Sequence, residues 1–272
     1  MHYGFVIPGG DVETLIDVAQ QIEAAGWDGA FIADGVYSTD PWISLAAMAI
    51  HTKHIRLGTL VTPASRRRPW KLASEAATLD RLSRGRVVLP VGLGALDTGF
   101  DKVGEQTDRA VRAQLLDECL EIVTSFWSGQ PFHYDGRYYH VHWDVNWSYT
   151  PVQMPRIPIW VVGAWPKRKS LLRALRYDGL IAVTKHADGS VFPSTPADIQ
   201  DIKRFADEQR MEETSFDIVV EGVTPLDAPG QGVEIVSSYA RAGATWWIES
   251  MWDIPGGLDV VLARIKQGPP RI

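Results

Sequence analysis

Short apolar segments alternate with longer amphipathic ones from end to end of this chain, and no pattern in the sequence restricts its fold more. Strands are predicted at 3–7, 30–33, 56–61, 86–91, 158–163, 179–183, 216–220 and 245–248. Helices are predicted at about 11–25, 41–51, 70–83, 108–127, 167–177, 196–212, 231–242 and 257–267, with Asp11 as an N-cap and Pro41 at an early helical position. Residues 55–94 form a complete strand–helix–strand unit, long enough for a parallel crossover. Strands such as Val87-Val88-Leu89 are apolar on both faces, as a parallel sheet covered on both sides requires. Eight such units in 272 residues predict an α/β fold, a (β/α)8 TIM barrel. A doubly wound open sheet is the alternative. No linker or charge block divides the chain, so residues 1–272 are expected to form a single domain. Two aromatic runs around Asp135-Gly136 predict an inserted hairpin at about 132–142. With the long loop 94–107, it is expected at the C-terminal face of the barrel.

Composition narrows the function. The net charge is −6, from 27 basic and 33 acidic side chains, which opposes nucleic-acid binding. No apolar run approaches the roughly 18–20 residues needed to span a bilayer, so no membrane association is expected. There is no basic stretch followed by an apolar one at the start, so no signal peptide is expected either. One cysteine, Cys119, allows neither an internal disulfide nor a cysteine metal cluster, and it fits a cytoplasmic location. No histidine pair has a convincing metal spacing, and no metal site is expected.

In a barrel, function gathers at the C-terminal ends of the strands. Those ends carry Pro8, Gly9, Asp34, Gly35, Thr62, Pro63, Gly92, Gly94, Gly163, Ala164, Trp165, Lys185, His186, Glu221, Gly222, Glu249, Ser250 and Trp252. Asp34 can accept a hydrogen bond from a ligand ring or orient a proton donor, or else cap its own loop. Gly92 and Gly94 allow a ring system to approach the backbone closely, whereas a dinucleotide fingerprint lacks its third glycine. From Gly163 the chain runs through Ala164 and Trp165 into a helix start carrying Lys167, Arg168 and Lys169. That arrangement suits a phosphate, or is simply solubilising charge. His186 is a candidate acid or base, or a surface histidine. Arg66-Arg67-Arg68 is either a solvated loop or an anion-binding lip. Either Trp246 or Trp247 can wall a flat ligand, but at least one must be core, because side chains alternate along a strand.

The chain resembles the luciferase-like monooxygenase superfamily, whose members use a flavin or coenzyme F420. The similar stretches include Gly26-Trp-Asp-Gly-Ala-Phe-Ile-Ala-Asp34, Arg56-Leu-Gly-Thr-Leu-Val-Thr-Pro63, Ala77-Thr-Leu-Asp-Arg-Leu-Ser-Arg-Gly-Arg86, Val91-Gly-Leu-Gly94, Pro158-Ile-Trp-Val-Val-Gly163 and Gly243-Ala-Thr-Trp-Trp-Ile-Glu249. The resemblance implies a barrel that binds reduced FMN or F420 across its mouth. The phosphate would lie near the loops after strands five and six. A bulge at Thr59–Thr62, often with a non-prolyl cis peptide, would support the ring. The cofactor-binding set so implied is Asp34, Thr62, Gly92, Gly94, Gly163, Ala164, Trp165, Lys167, Arg168 and Glu249, with Asp34 and His186 as catalytic residues. Many relatives have a histidine directly after the acidic residue of strand two; here that position is Gly35. The activity implied is a flavin-dependent monooxygenase using reduced FMN and oxygen on a small organic substrate, with a flavin reductase as partner and a homodimer as assembly. The alternatives are F420-dependent hydride transfer, for whose longer anionic tail Arg66–Arg68 would suit, and a non-catalytic flavin-binding barrel. Segments 132–142 and 94–107 would cover the mouth.

Overall fold

The computed structural model describes residues 1–186, 190–211, 214–252 and 256–272. In chain order the elements are β1 (His2–Ile7), α1 (Val12–Ala24), β2 (Gly29–Ile32), α2 (Pro41–His51), β3 (Arg56–Thr59), β4 (Thr62–Pro63), α3 (Pro69–Ser83), β5 (Leu89–Gly92) and α4 (Arg109–Trp127). They continue with β6 (Phe132–Asp135), β7 (His140–Trp143), β8 (Ile159–Trp165), α5 (Arg168–Ala174), β9 (Gly179–Lys185), β10 (Val191–Pro193), α6 (Pro196–Gln209), β11 (Asp217–Gly222), α7 (Pro229–Ala242), β12 (Trp246–Ser250) and α8 (Gly257–Lys266). Residue 212, the expected end of the sixth helix, lies outside the described residues.

The helices start where local chemistry starts them. Asp11, Asp40 and Asp108 accept the N–H of the third residue onward, and Thr195 forms a capping box with Asp198. Proline opens α2, α3, α6 and α7, where its missing N–H costs nothing. The parallel strands pair in the order β3-β2-β1-β12-β11-β9-β8-β5-β4. The expected third strand is divided between β3 and β4, around a cis peptide between Leu60 and Val61. Because β4 directly follows β3 in sequence and pairs with β5, the sheet comes back on itself, and a bridge between Leu57 and Val87 joins the same two regions lower down. This is the (β/α)8 barrel that the alternation predicts.

The core has two layers, set by the period-two alternation of a strand. Inside the barrel lie Val6, Phe31, Leu60, Val88, Trp160, Ile181, Val219, Trp246 and Ile248. Between the strands and the helices lies the larger outer layer, to which Trp247 and Val220 belong. Both tryptophans of the 246–247 pair are therefore core, one in each layer. Trp160 packs against Phe31 and, edge-on, against Trp246, and its Nε1–H donates to Asp217 at 3.1 Å.

The hairpin β6–β7 pairs as expected, with Asp135 opposite His140. It is a buttress of α4 rather than a cover. The Glu118 carboxylate accepts the N–H groups of Arg137, Tyr138 and Tyr139, while Phe132, Trp143 and Trp147 surround Phe126. Among the described residues no helix is long and apolar enough to cross a membrane.

Trp160→Ala should lower stability by about 3–5 kcal/mol, because a cavity opens at the centre of the barrel and Asp217 loses a donor. The midpoint of urea unfolding, at unchanged slope, is the measurement.

Candidate active site

The C-terminal strand ends open into a cavity of about 1000 Å³ between the barrel, the first half of α4 and the start of α5. Its apolar wall includes Val61, Leu93, Val162, Ala164 and Val183, and its other side carries Arg109, Arg112, Lys167, Arg168, Lys169 and Arg173, with Asp117. Gly92 backs the wall. A Cβ there would press on Val61 and Val162 at 3.1 and 3.0 Å, so only glycine lets these two side chains line the floor as they do.

The cations differ in how free they are. Arg173 holds Asp117 at 2.6 Å, and Arg168 donates to Gln209 and lies over Phe205. Arg109, Lys167 and Lys169 make no ion pair with a described residue. Arg112 is the unusual one. It is 5% exposed, donates to the carbonyls of Leu93 and Gly94 at 2.9 and 3.0 Å, and leaves its buried Nε without a partner. Burial, helped by the charge of Arg109, pulls its pKa down from the usual value, although a guanidinium stays charged. A buried cation with an unpaired donor is poorly solvated, and a nearby anion would offset its charge. The donor set, the buried orphan and the flat apolar floor together fit a planar ring system carrying phosphate.

Of the residues expected at the site, Gly94, Ala164, Lys167 and Arg168 line this cavity. Gly92 lies directly behind its wall, and the others lie elsewhere. Asp34 is enclosed by Arg67, whose Nε and Nη2 donate to Oδ2 at 3.1 and 2.9 Å, and by Arg66 at 3.6 Å. Burial pushes its carboxyl up, and first Arg67 and then Arg66 push it back. Arg66 and Arg67 thus hold an internal carboxylate and do not form an exposed anion-binding lip. Thr62 is buried and bonded to Thr59 at 2.7 Å. Gly163 faces the outer layer, where a Cβ would run into Leu180 and Leu171, and Trp165 packs near Phe205. Glu249 is fully buried in the outer layer, bonded to the Thr224 N–H at 2.6 Å, to Trp247 and to Arg264 at 3.3 Å. His186 is exposed beyond β9, edge-on to Phe192.

The expected helix at 167–177 is only Arg168–Ala174, so its dipole adds little and the side-chain cations carry the electrostatics. Arg109, Arg112 and Arg173 were not selected from the sequence. Their signal is spacing: Arg109, Arg112 and Leu116 share one face of α4, and Lys169 and Arg173 one face of α5. Cys119 has no place in the chemistry; it is buried and its thiol is pushed up to about 12.

A family model described as luciferase-like monooxygenase matches residues 3–229. The oxygenase component of a flavin-dependent trigonelline monooxygenase from Acinetobacter baylyi is 28% identical over 57% of this chain and 44% of its own length. An F420-dependent glucose-6-phosphate dehydrogenase from Nocardia farcinica is 32% identical over 56% of this chain and 48% of its own. The chain therefore spans about half the length of these relatives. The structure of a coenzyme F420-dependent tetrahydromethanopterin reductase from Methanopyrus kandleri superposes with a TM-score of 0.77, covering 98% of each chain at 18% identity, and so shares the fold.

Asp34→Ala should cost about 3–5 kcal/mol, because it leaves two guanidinium groups without their buried carboxylate. The loss should appear in thermal and urea unfolding of the ligand-free protein.

Proposed function

The chain belongs to the luciferase-like monooxygenase family, and from that premise we propose that its cation-walled cavity holds a phosphate-bearing flavin or deazaflavin and that the protein is an oxidoreductase. The observation that carries this reading is the pairing, in one cavity, of an apolar floor with three cations that make no ion pair with a described residue. Arg109, Lys167 and Lys169 would bind the phosphate, with the charge of Arg112 behind them. Gly94 and Ala164 lack side-chain bulk and would let a ring lie against the backbone, while Val61, Val162 and Val183 would exclude water from it. The bound cofactor supplies the two-electron chemistry; the protein supplies position, charge and dryness.

The leading reading is a monooxygenase that uses reduced FMN and oxygen on a small organic substrate, with a separate reductase supplying the reduced flavin. The relative named as an oxygenase component supports that division of labour. F420-dependent hydride transfer is the second reading. It is favoured by the number of cations: Arg109, Lys167 and Lys169, none ion-paired to a described residue, together with Arg112, are more than a single phosphate needs and suit a longer polyanionic tail. The support once expected from Arg66 and Arg67 is gone, because both charges are engaged by Asp34.

Titration with FMN, riboflavin and F420, each oxidised and reduced, followed by fluorescence, should give tight binding of one phosphorylated cofactor. Lys167→Ala and Lys169→Ala should each weaken FMN by about tenfold, the loss of one charge-assisted contact, and leave riboflavin unchanged. Equal affinity of the wild type for FMN and riboflavin would remove the phosphate site from this cavity.

A further inference from the structure

The mouth of the barrel has a second half, and its carboxylate is of a different kind from the rest. Asp34 and Glu249 are each held by arginine. Glu221, at the end of β11, is held by neutral donors alone: Ser250 Oγ–H at 3.0 Å and Trp252 Nε1–H at 3.3 Å, both to Oε2. Its Oε1 bonds to no described residue. The alternation on β11 puts Val219 inside the barrel, and hence Glu221 as well. Val219 pairs with Ile181, so Glu221 lies one strand spacing, about 4.8 Å, from the line of Val183, which walls the cavity. The residue is partly buried at the strand end and keeps some exposure. The charged groups nearest along the sheet are Lys185 and His186 at the end of β9, and neither pairs with it; Glu249 on β12 faces the outer layer. Burial pushes the Glu221 carboxyl up from its ordinary value, opposed only by Ser250 and Trp252.

We propose that Glu221 is the proton-exchanging residue of this site, serving a substrate oxygen or nitrogen that enters beside the cofactor cavity. This deepens, and rests on, the oxidoreductase reading above. No electron moves in the step. The carboxyl O–H bond at Oε1 breaks as the O–H or N–H bond on the substrate forms, leaving a carboxylate held by Ser250 and Trp252; the open mouth returns the proton from water.

Trp252 reports on its partner. The difference in emission between wild type and Trp252→Phe should follow one pH transition, above the ~4.3 of an ordinary glutamate, and Glu221→Gln should abolish it. Because the folded carboxyl holds its proton more tightly than the unfolded one, wild-type stability should fall as pH rises through this transition, and Glu221→Gln should remove that slope. Binding of FMN or F420, whichever binds, measured by calorimetry in two buffers of different ionisation enthalpy, should take up a proton in wild type and none in Glu221→Gln, with affinity within about twofold. A transition in the ordinary range, or one that persists in Glu221→Gln, overturns the proposal, as does equal proton uptake by the two proteins. Binding of neither cofactor overturns the oxidoreductase reading instead, and the ligand-free Trp252 titration then decides alone whether Glu221 carries the proton.

Discussion

Each parallel strand here is buried on both sides, and successive side chains go to opposite layers. Along β12, Trp246 and Ile248 fill the barrel while Trp247 and Glu249 enter the layer beneath the helices. The rest of the structure follows from that division. A strand with no exposed face has polar work to do only at its ends, and the C-terminal ends open on a cavity. Whether a polar side chain near such an end meets ligand or structure depends on which layer it faces.

The carboxylates show the consequence. Glu249 faces outward, so it ties β12 to Thr224 and to Arg264 of α8. Asp34 fastens the end of β2 to the loop after β4 through Arg66 and Arg67. Asp117 similarly ties α4 to α5 through Arg173, with Arg176 alongside. Charges buried in this way offset each other's desolvation, and they fix the positions of loops more than they add stability. Glu221, on the neighbouring strand, faces inward and receives no cation from a described residue. Arg112 is its counterpart among the cations, buried yet partly unsatisfied.

The fold was largely legible in the sequence because its signals are local. Asp11, Pro41 and Asp108 mark helix starts, and the structure begins α1, α2 and α4 at those positions. The strands were legible for the same reason, except where the backbone departs from regularity. The third divides at Leu60–Val61, and the fourth pairs fully only from Leu89, leaving Val87 a single bridge. The helix after β8 proved short. Asp178 draws the chain away from it by holding Arg156 and the Ile159 N–H. None of these partners is near in sequence.

The candidate site was legible as a set of strand ends, and less so residue by residue. Gly94, Ala164, Lys167 and Arg168 follow from strand-end position, and the cavity has them on its wall. Arg109 and Arg112 were missed: their shared helix face is in the sequence, but a cation on a helix ordinarily faces water, and only the packing of α4 turns these two toward the barrel. The sequence by itself determined the eightfold alternation, the helix starts and the end of the barrel at which ligands meet the chain, since periodicity and capping act over a few residues. Only the tertiary structure decided which charges are already spent on one another and which remain free, because an ion pair depends on distances between elements far apart in the chain.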